Sequence, residues 1–364
     1  MIDNINAKSY DKCVYDKIKN RVDSGCFEAI KAGWKYKVRN SNIPIHGSYI
    51  TIEINSYVVE ETGEILNSTK MVGSLRKWYF GTLSLEDFTE KTFFDALTLF
   101  ARALGISLQE LCTFVLSYIE VGFNYRTNIG IEMIKKSFLN FKSRRYKRSE
   151  DEFSITFSSR RNKHASRGGN CKKTSLIIYD KFQEIKEKYI TQRIKSHEET
   201  EFIERNQSKR HLRIEFKITG GQNYINQTIF KSNYGRITIG FLLKNFDMLY
   251  TYFWDEARNI HILAISDHNP LLLQTSKDIT DSMIYDFIQN NPKEFYKRTQ
   301  NIKERGYRKR ILKRISRFQT KQLKYNKERF LQNIRCRLYC LIGKDGKISR
   351  HKQLIPYPIN STKL

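Results

Sequence analysis

Three stretches within residues 152–217 alternate polar and apolar side chains with a period near two, a pattern that suits half-buried β-strands rather than helices. They are Phe153-Ser154-Ile155-Thr156-Phe157, Ser175-Leu176-Ile177-Ile178-Tyr179 and His211-Leu212-Arg213-Ile214-Glu215-Phe216-Lys217. A basic turn carrying Arg160, Arg161 and Arg167 and ending on Gly168-Gly169 joins the first two. The second runs through Asp180 and Lys181 into a charged helix. These strands present one tyrosine, two carboxylates and several cations at their ends or polar faces.

The same periodicities extend the plan in both directions. Residues 34–38, 49–54 and 57–59 read as strands, with a hairpin turn at Thr62-Gly63, and residues 75–80 read as a further strand closed by Gly81. Phe93, Leu97, Phe100, Ala101 and Leu104 fall at helical spacing, and Gly105 marks the stop. Residues 113–125 form a strong strand with Glu120 at its centre, and 131–141 a helix. Residues 237–249 and 282–288 read as helices, 338–348 as a hairpin, and no internal repeat is visible. The expected fold is α+β: an antiparallel-sheet core with helices on one face, plus a basic helical C-terminal region. The expected boundary divides residues 1–222, which hold the sheet, from 223–364, a mostly helical basic region.

Charge narrows the partner. Of 364 residues, 65 are Lys or Arg and 38 Asp or Glu, a net charge of +27 that favours a polyanion. Residues 293–335 hold sixteen basic residues against three acidic, yet Ile311, Ile315 and Phe318 keep an apolar stripe, as do Phe330 and Ile334. Arg308, Lys309, Arg310, Lys313, Arg314 and Arg317 are its candidate phosphate contacts. A helix lying on a membrane surface is the rival reading of this stretch. The cysteines, at 13, 26, 112, 171, 336 and 340, show no zinc spacing and suit reduced thiols. The start shows no signal-peptide pattern and no stretch is long and apolar enough to span a bilayer, so a cytoplasmic protein is expected.

The candidate chemistry is phosphoryl transfer to a protein hydroxyl. Tyr179 is the candidate nucleophile. Acids holding Mg²⁺ or Mn²⁺ would polarise a phosphate, and Lys181 with the Arg160-Arg161 turn would offset developing charge. Glu120, amid apolar neighbours, is costly to bury unless paired or metal-bound. Asp180, Glu53 and Glu215 are the other candidate ligands. Glu53 also reads as an outward residue of a half-buried sheet, and Glu215 as part of a cross-strand ladder with Arg213 and Lys217. Asp3 reads as part of a solvated terminus. The histidines, at 46, 164, 197, 211, 261, 268 and 351, never stand one residue apart, so a His-hydrophobe-His metal motif is absent.

The ordered set of a strand, a Ser-Arg-Arg turn, Ile177-Ile178-Tyr179-Asp180-Lys181 with Glu184, and Arg213-Ile214-Glu215-Phe216-Lys217 resembles the replication initiation factor family of rolling-circle plasmids. It is also similar to the gene II replication proteins of filamentous phages. Met1-Ile2-Asp3 and the stretch from Leu116 to Gly122 fit the pattern, with Tyr118 and Glu120 standing where the family usually has Arg-Ile-Asp. The resemblance spans roughly residues 48 to 220. It implies a DNA-nicking and closing endonuclease that links itself through Tyr179 to a 5′ end, with acidic metal ligands matching Glu120 and Asp180. The partners expected are origin DNA, host helicase and polymerase, and a second copy in a homodimer. A non-catalytic DNA-binding regulator with the same fold fits charge, aromatics and strand pattern equally well.

Overall fold

The computed structural model describes residues 1–343 except 32, 44–46, 128, 143–145, 160–172, 191–195, 220, 232–235, 264, 267–275, 301, 303–305, 320–322 and 326. In chain order the strands that build the architecture are β1 (Ile2–Ser9), β2 (Glu28–Lys31), β3 (Lys35–Arg39), β4 (Tyr49–Val58), β5 (Ile65–Ser74) and β6 (Val115–Thr127). They continue with β7 (Phe138–Phe141), β8 (Tyr146–Glu150), β9 (Ser154–Ser159), β10 (Lys173–Asp180), β11 (Arg210–Thr219) and β12 (Ile260–Ile262).

Ten of these form one sheet in the order β2-β3-β4-β5-β1-β6-β11-β10-β9-β8, and each pairing is antiparallel. That order contains a repetition. Reading inward from each edge, β2-β3-β4-β5-β1 and β8-β9-β10-β11-β6 follow the same plan, and the two units meet at an antiparallel β1–β6 seam. In each unit a helix follows the seam strand: Lys12–Asp23 after β1 and Ile131–Ser137 after β6. The internal repeat absent from the residues is present in the topology.

The alternation expected of β6 and β11 sorts their side chains cleanly. Ile119, Val121 and Phe123 of β6 and Ile214 and Phe216 of β11 lie in the apolar core. There Phe123 and Phe216 meet Phe253 of the helix Met248–Arg258, with ring centroids 4.3 and 5.0 Å apart. The residues between them, Glu120, Gly122, Arg213, Glu215 and Lys217, are left for the opposite face. The helix Glu90–Leu104 packs Phe93, Leu97, Phe100 and Leu104 inward and ends, as its glycine requires, with Gly105 in the left-handed region at φ 73°.

Four expectations change. Residues 75–80 are a helix, Leu75–Phe80, because Ser74 caps it by accepting from the Lys77 N–H, and Leu75 and Trp78, three residues apart, share a buried face only in a helix. The helix expected to reach residue 141 stops at Ser137, and β7 pairs instead with β12, far along the chain. Residues 237–249 divide between the helices Ile239–Lys244 and Met248–Arg258. Leu338, Leu341 and Ile342, expected in a hairpin, continue the helix Lys327–Gly343 and bury at helical spacing. The division at residue 222 is not a division of the core: Phe246, Phe253, Phe330, Ile334 and Leu338 belong to the same apolar cluster as the sheet. Among the described residues a small second cluster gathers Leu263, Tyr285, Ile288, Phe295 and Ile315. Among them, too, no helix is long and apolar enough to cross a membrane.

A buried acidic cluster beside Tyr179

The polar face at the β1–β6–β11 junction brings together Asp3, Glu120 and Glu215, which can each offer a carboxylate oxygen within 4.8 Å of the others. All three are buried, at 2, 2 and 3% exposure. Asp3 therefore corrects the reading of a solvated terminus: β1 is the central strand of the sheet, and a residue beside the seam has sheet on both sides. Glu120 and Glu215 meet because β6 and β11 pair with Lys217 opposite Glu120 and Glu215 opposite Gly122. Gly122 is the space that admits the Glu215 side chain, since a Cβ there would sit 2.4 Å from the Ile214 carbonyl oxygen and 2.8 Å from Glu215 Cγ. Gly122→Ala is expected to cost about 1–3 kcal/mol through overpacking, read as a lower urea midpoint.

Tyr179 stands opposite Arg213 on β10 and donates its hydroxyl to Glu215 Oε1 at 2.9 Å. The phenol is pushed well above its usual value by burial and then by the Glu215 charge, with Arg213 opposing. Arg213 is fully buried and is the hub of the site: Nε reaches Glu215 at 2.5 Å, Nη2 reaches Asp3 at 3.0 Å and Nη1 reaches Asp87 at 2.9 Å. Arg76, also fully buried, adds a contact to Asp3 at 3.4 Å. Burial works to raise the Asp3 carboxyl, but Arg76 and Arg213 overcome it and hold Asp3 well below the usual range. Glu120 behaves oppositely. Burial and the neighbouring Glu215 charge raise it, although Lys217 lies 2.8 Å away, Asn4 donates at 2.6 Å and Tyr118 donates its hydroxyl.

The other acids expected here are elsewhere employed. Asp180 caps the helix Lys181–Tyr189, accepting from the Phe182 and Gln183 N–H groups, and points away from the cluster as successive strand residues must. Glu53 lies on β4 between Lys35 at 3.3 Å and Lys70 at 2.9 Å, the outward pairing its alternation allowed. Both are corrections to the expected ligand set. Lys181 opens the helix fully buried, with its ammonium 5.5 Å from the Tyr179 ring centroid and paired with Glu184. Burial lowers Lys181 to about 8.

Glu184 sits at about 2, because Lys181 and Lys77 outweigh a burial effect that would raise it. Its folded value is depressed, so its stabilisation is complete above the unfolded pKa near ~4.3 and is lost as pH falls toward 2, about 3 kcal/mol in all. Stability should fall less steeply over this acid range in Glu184→Gln than in the natural protein. Equal slopes in denaturant titrations would reject the pairing.

Of the expected phosphate contacts, Arg160, Arg161 and Arg167 lie outside the described residues, as does the side chain of Arg317. Arg308, Lys309, Arg310, Lys313 and Arg314 are on the helix Tyr307–Gln319. Arg308 stacks over Tyr296 at 4.5 Å and donates to Thr299, and Arg314 pairs with Asp281. Arg308, Lys309 and Lys313 join Lys142, Tyr296 and Tyr307 in lining a cleft of about 960 Å³.

Sequence reasoning missed Asp3 as a site residue, and Arg76, Asp87, Asn4 and Arg337 altogether. Asp87 comes from a loop, accepting the Asn124 N–H at 2.8 Å, and Arg337 reaches it at 2.8 Å from the helix Lys327–Gly343. The one available signal was Asp3 itself, an acid set between Met1-Ile2 and Ile5 in a short segment at the start of the sequence. Compared with family models, curated proteins and solved structures, the chain gives no match in any of the three.

Proposed function

We propose that this chain is a rolling-circle DNA replication initiator of a small phage or plasmid, a nicking-closing endonuclease with Tyr179 as nucleophile. The observation that carries the reading is the 2.9 Å hydrogen bond from the Tyr179 hydroxyl to Glu215, a member of a buried three-acid cluster with cations beside it. A structural tyrosine needs one hydrogen-bond partner; it does not need three acids gathered behind that partner.

The cluster's donor set fits a hard divalent cation. It offers carboxylate oxygens only, and Glu120 stays raised despite Lys217, so the cluster is short of positive charge at that end. Asp3, Glu120 and Glu215 would hold Mg²⁺ or Mn²⁺, which would supply Lewis-acid polarisation of the scissile phosphate and offset the Glu215 charge that, after burial, raises the Tyr179 phenol. Tyr179 oxygen attacks phosphorus, the bond to the 3′ oxygen breaks, and a 5′-phosphotyrosine and a free 3′-hydroxyl result. Glu215 Oε1, which already accepts the phenol hydrogen bond, is placed to take the phenol proton, and the leaving 3′ oxygen takes a proton from water. Lys181 and Lys217 stand beside the acids as positive charge for the phosphate oxygens. The 3′-hydroxyl primes synthesis, and reversal of the same transfer closes the circle.

The test is incubation with single-stranded DNA pools and supercoiled replicon DNA in Mg²⁺ or Mn²⁺. A denaturation-resistant protein–DNA product attached at the 5′ end, abolished by chelation, is expected. A mobility shift without that product would favour the DNA-binding regulator, as would a thermal midpoint that Mn²⁺ leaves unmoved. Glu120→Gln and Asp3→Asn should each reduce the Mn²⁺-induced shift in the midpoint, with affinity falling about tenfold or more per lost carboxylate.

A further inference from the structure

We propose that the same face of the first unit, across β1, β5, β4 and β3, is a track for one single-stranded flank of the DNA engaged at Tyr179. The idea takes its ligand from the nicking reading, and its location from a feature that reading does not use.

The two units share a strand order but not a surface. The acidic cluster sits on the seam, with Glu120 and Glu215 on the second unit and Asp3 on β1, and outward from β1 the first unit carries cations. A continuous row of paired residues runs from Tyr118 on β6 through Asn6, Val72 and Thr51 to Lys37 on β3. At one end Tyr118 is hydrogen-bonded to Glu120 of the cluster. At the other, Lys37 and Arg39 lie over the ring of Tyr49, 5.3 and 5.7 Å from its centroid. Four strand spacings separate β6 from β3, on the order of 19 Å, the span of a few nucleotides.

Exposed rings stand at both ends of β3, Tyr49 opposite Arg39 and Trp34 just before Lys35. Tyr49 is 41% exposed and Trp34 is 37% exposed, and Trp34 has Lys31 and Lys35 within 5.7 Å of its ring. Nearer the seam, Tyr10 is 54% exposed with Lys8 at 4.4 Å. Lys8, Lys31, Lys35, Lys37, Arg39 and Lys70 outnumber their acidic partners Glu28 and Glu53. Exposed rings framed by cations suit unstacked bases and their phosphates, because each base offers a π-face and each linkage a negative charge. A duplex, whose bases are already stacked on one another, gains nothing from the rings.

The test compares binding of short oligonucleotides, which reach only the cluster, with longer ones extended on one side or the other. Extension on one side alone should tighten binding to the natural protein. Tyr49→Ala should weaken the longer oligonucleotide about tenfold and leave the short one unchanged, whereas Tyr49→Phe, which keeps the ring, should bind as the natural protein does. Lys37→Ala should reduce the salt dependence of binding by about one phosphate contact. A longer strand that binds Tyr49→Ala as tightly as it binds the natural protein, or an equal loss with duplex DNA, overturns the track. Covalent product is measured in parallel on the short oligonucleotide. Its absence with the natural protein counts against nicking alone, since the affinity measurements need no cleavage.

Discussion

Tyr179→Phe is expected to lose covalent DNA linkage by roughly four orders of magnitude or more, since no other group replaces a missing nucleophile. The same change removes one hydrogen bond to Glu215 and should lower stability by only about 1–2 kcal/mol. DNA affinity should stay near that of the natural protein, because the cations around the site are untouched. The separation of these three readouts is the content of the prediction. A binding surface that merely used the ring would tolerate phenylalanine in all of them. Linkage at the natural level in Tyr179→Phe would remove the tyrosine from the chemistry and return Glu215 to the role of its hydrogen-bond acceptor.

Arg213→Met should be the most destabilising single change in the site. The guanidinium is wholly buried and touches Asp3, Asp87 and Glu215, so its loss leaves three buried acids short of their shared partner. Breaking a buried ion cluster on one side costs roughly 3–5 kcal/mol, a large share of the ~5–15 kcal/mol that holds a domain folded. The sign with pH follows. In the variant Asp3 and Asp87 lose one of the cations that hold their carboxyls down, so less stability is lost as they are protonated. The gap between variant and natural protein should therefore narrow as pH falls from neutral into the carboxylate range. Urea midpoints at neutral and mildly acidic pH measure it. An unchanged midpoint at neutral pH would mean that the cluster is not closed around Arg213.

The same guanidinium links the site to the end of the chain. Asp87 joins Arg213 to Arg337 at 2.9 and 2.8 Å, so the helix Lys327–Gly343 contributes to the electrostatics behind Tyr179 as well as to the apolar core. A division at residue 222 would have separated those two functions. The tertiary packing puts them in one body.

The residues themselves determined a good deal. Period-two alternation in 211–217 and 113–125 determined which side chains share a face, and hence that Glu120 and Glu215 stand opposite the core. The order Tyr179-Asp180-Lys181 determined that Asp180 and Tyr179 diverge, and Asp180 became the helix cap that its position before Lys181 favours. Those features are local: they depend on backbone geometry within a few residues. Only the tertiary structure decided that β1 lies between β5 and β6, because strand neighbours are chosen by burial across the whole sheet and not by anything within Met1-Ile2-Asp3. That placement turned an apparently solvated Asp3 into the third acid, made Arg213 the hub of a buried network, and set the acidic cluster on the seam between two units of one repeated strand order.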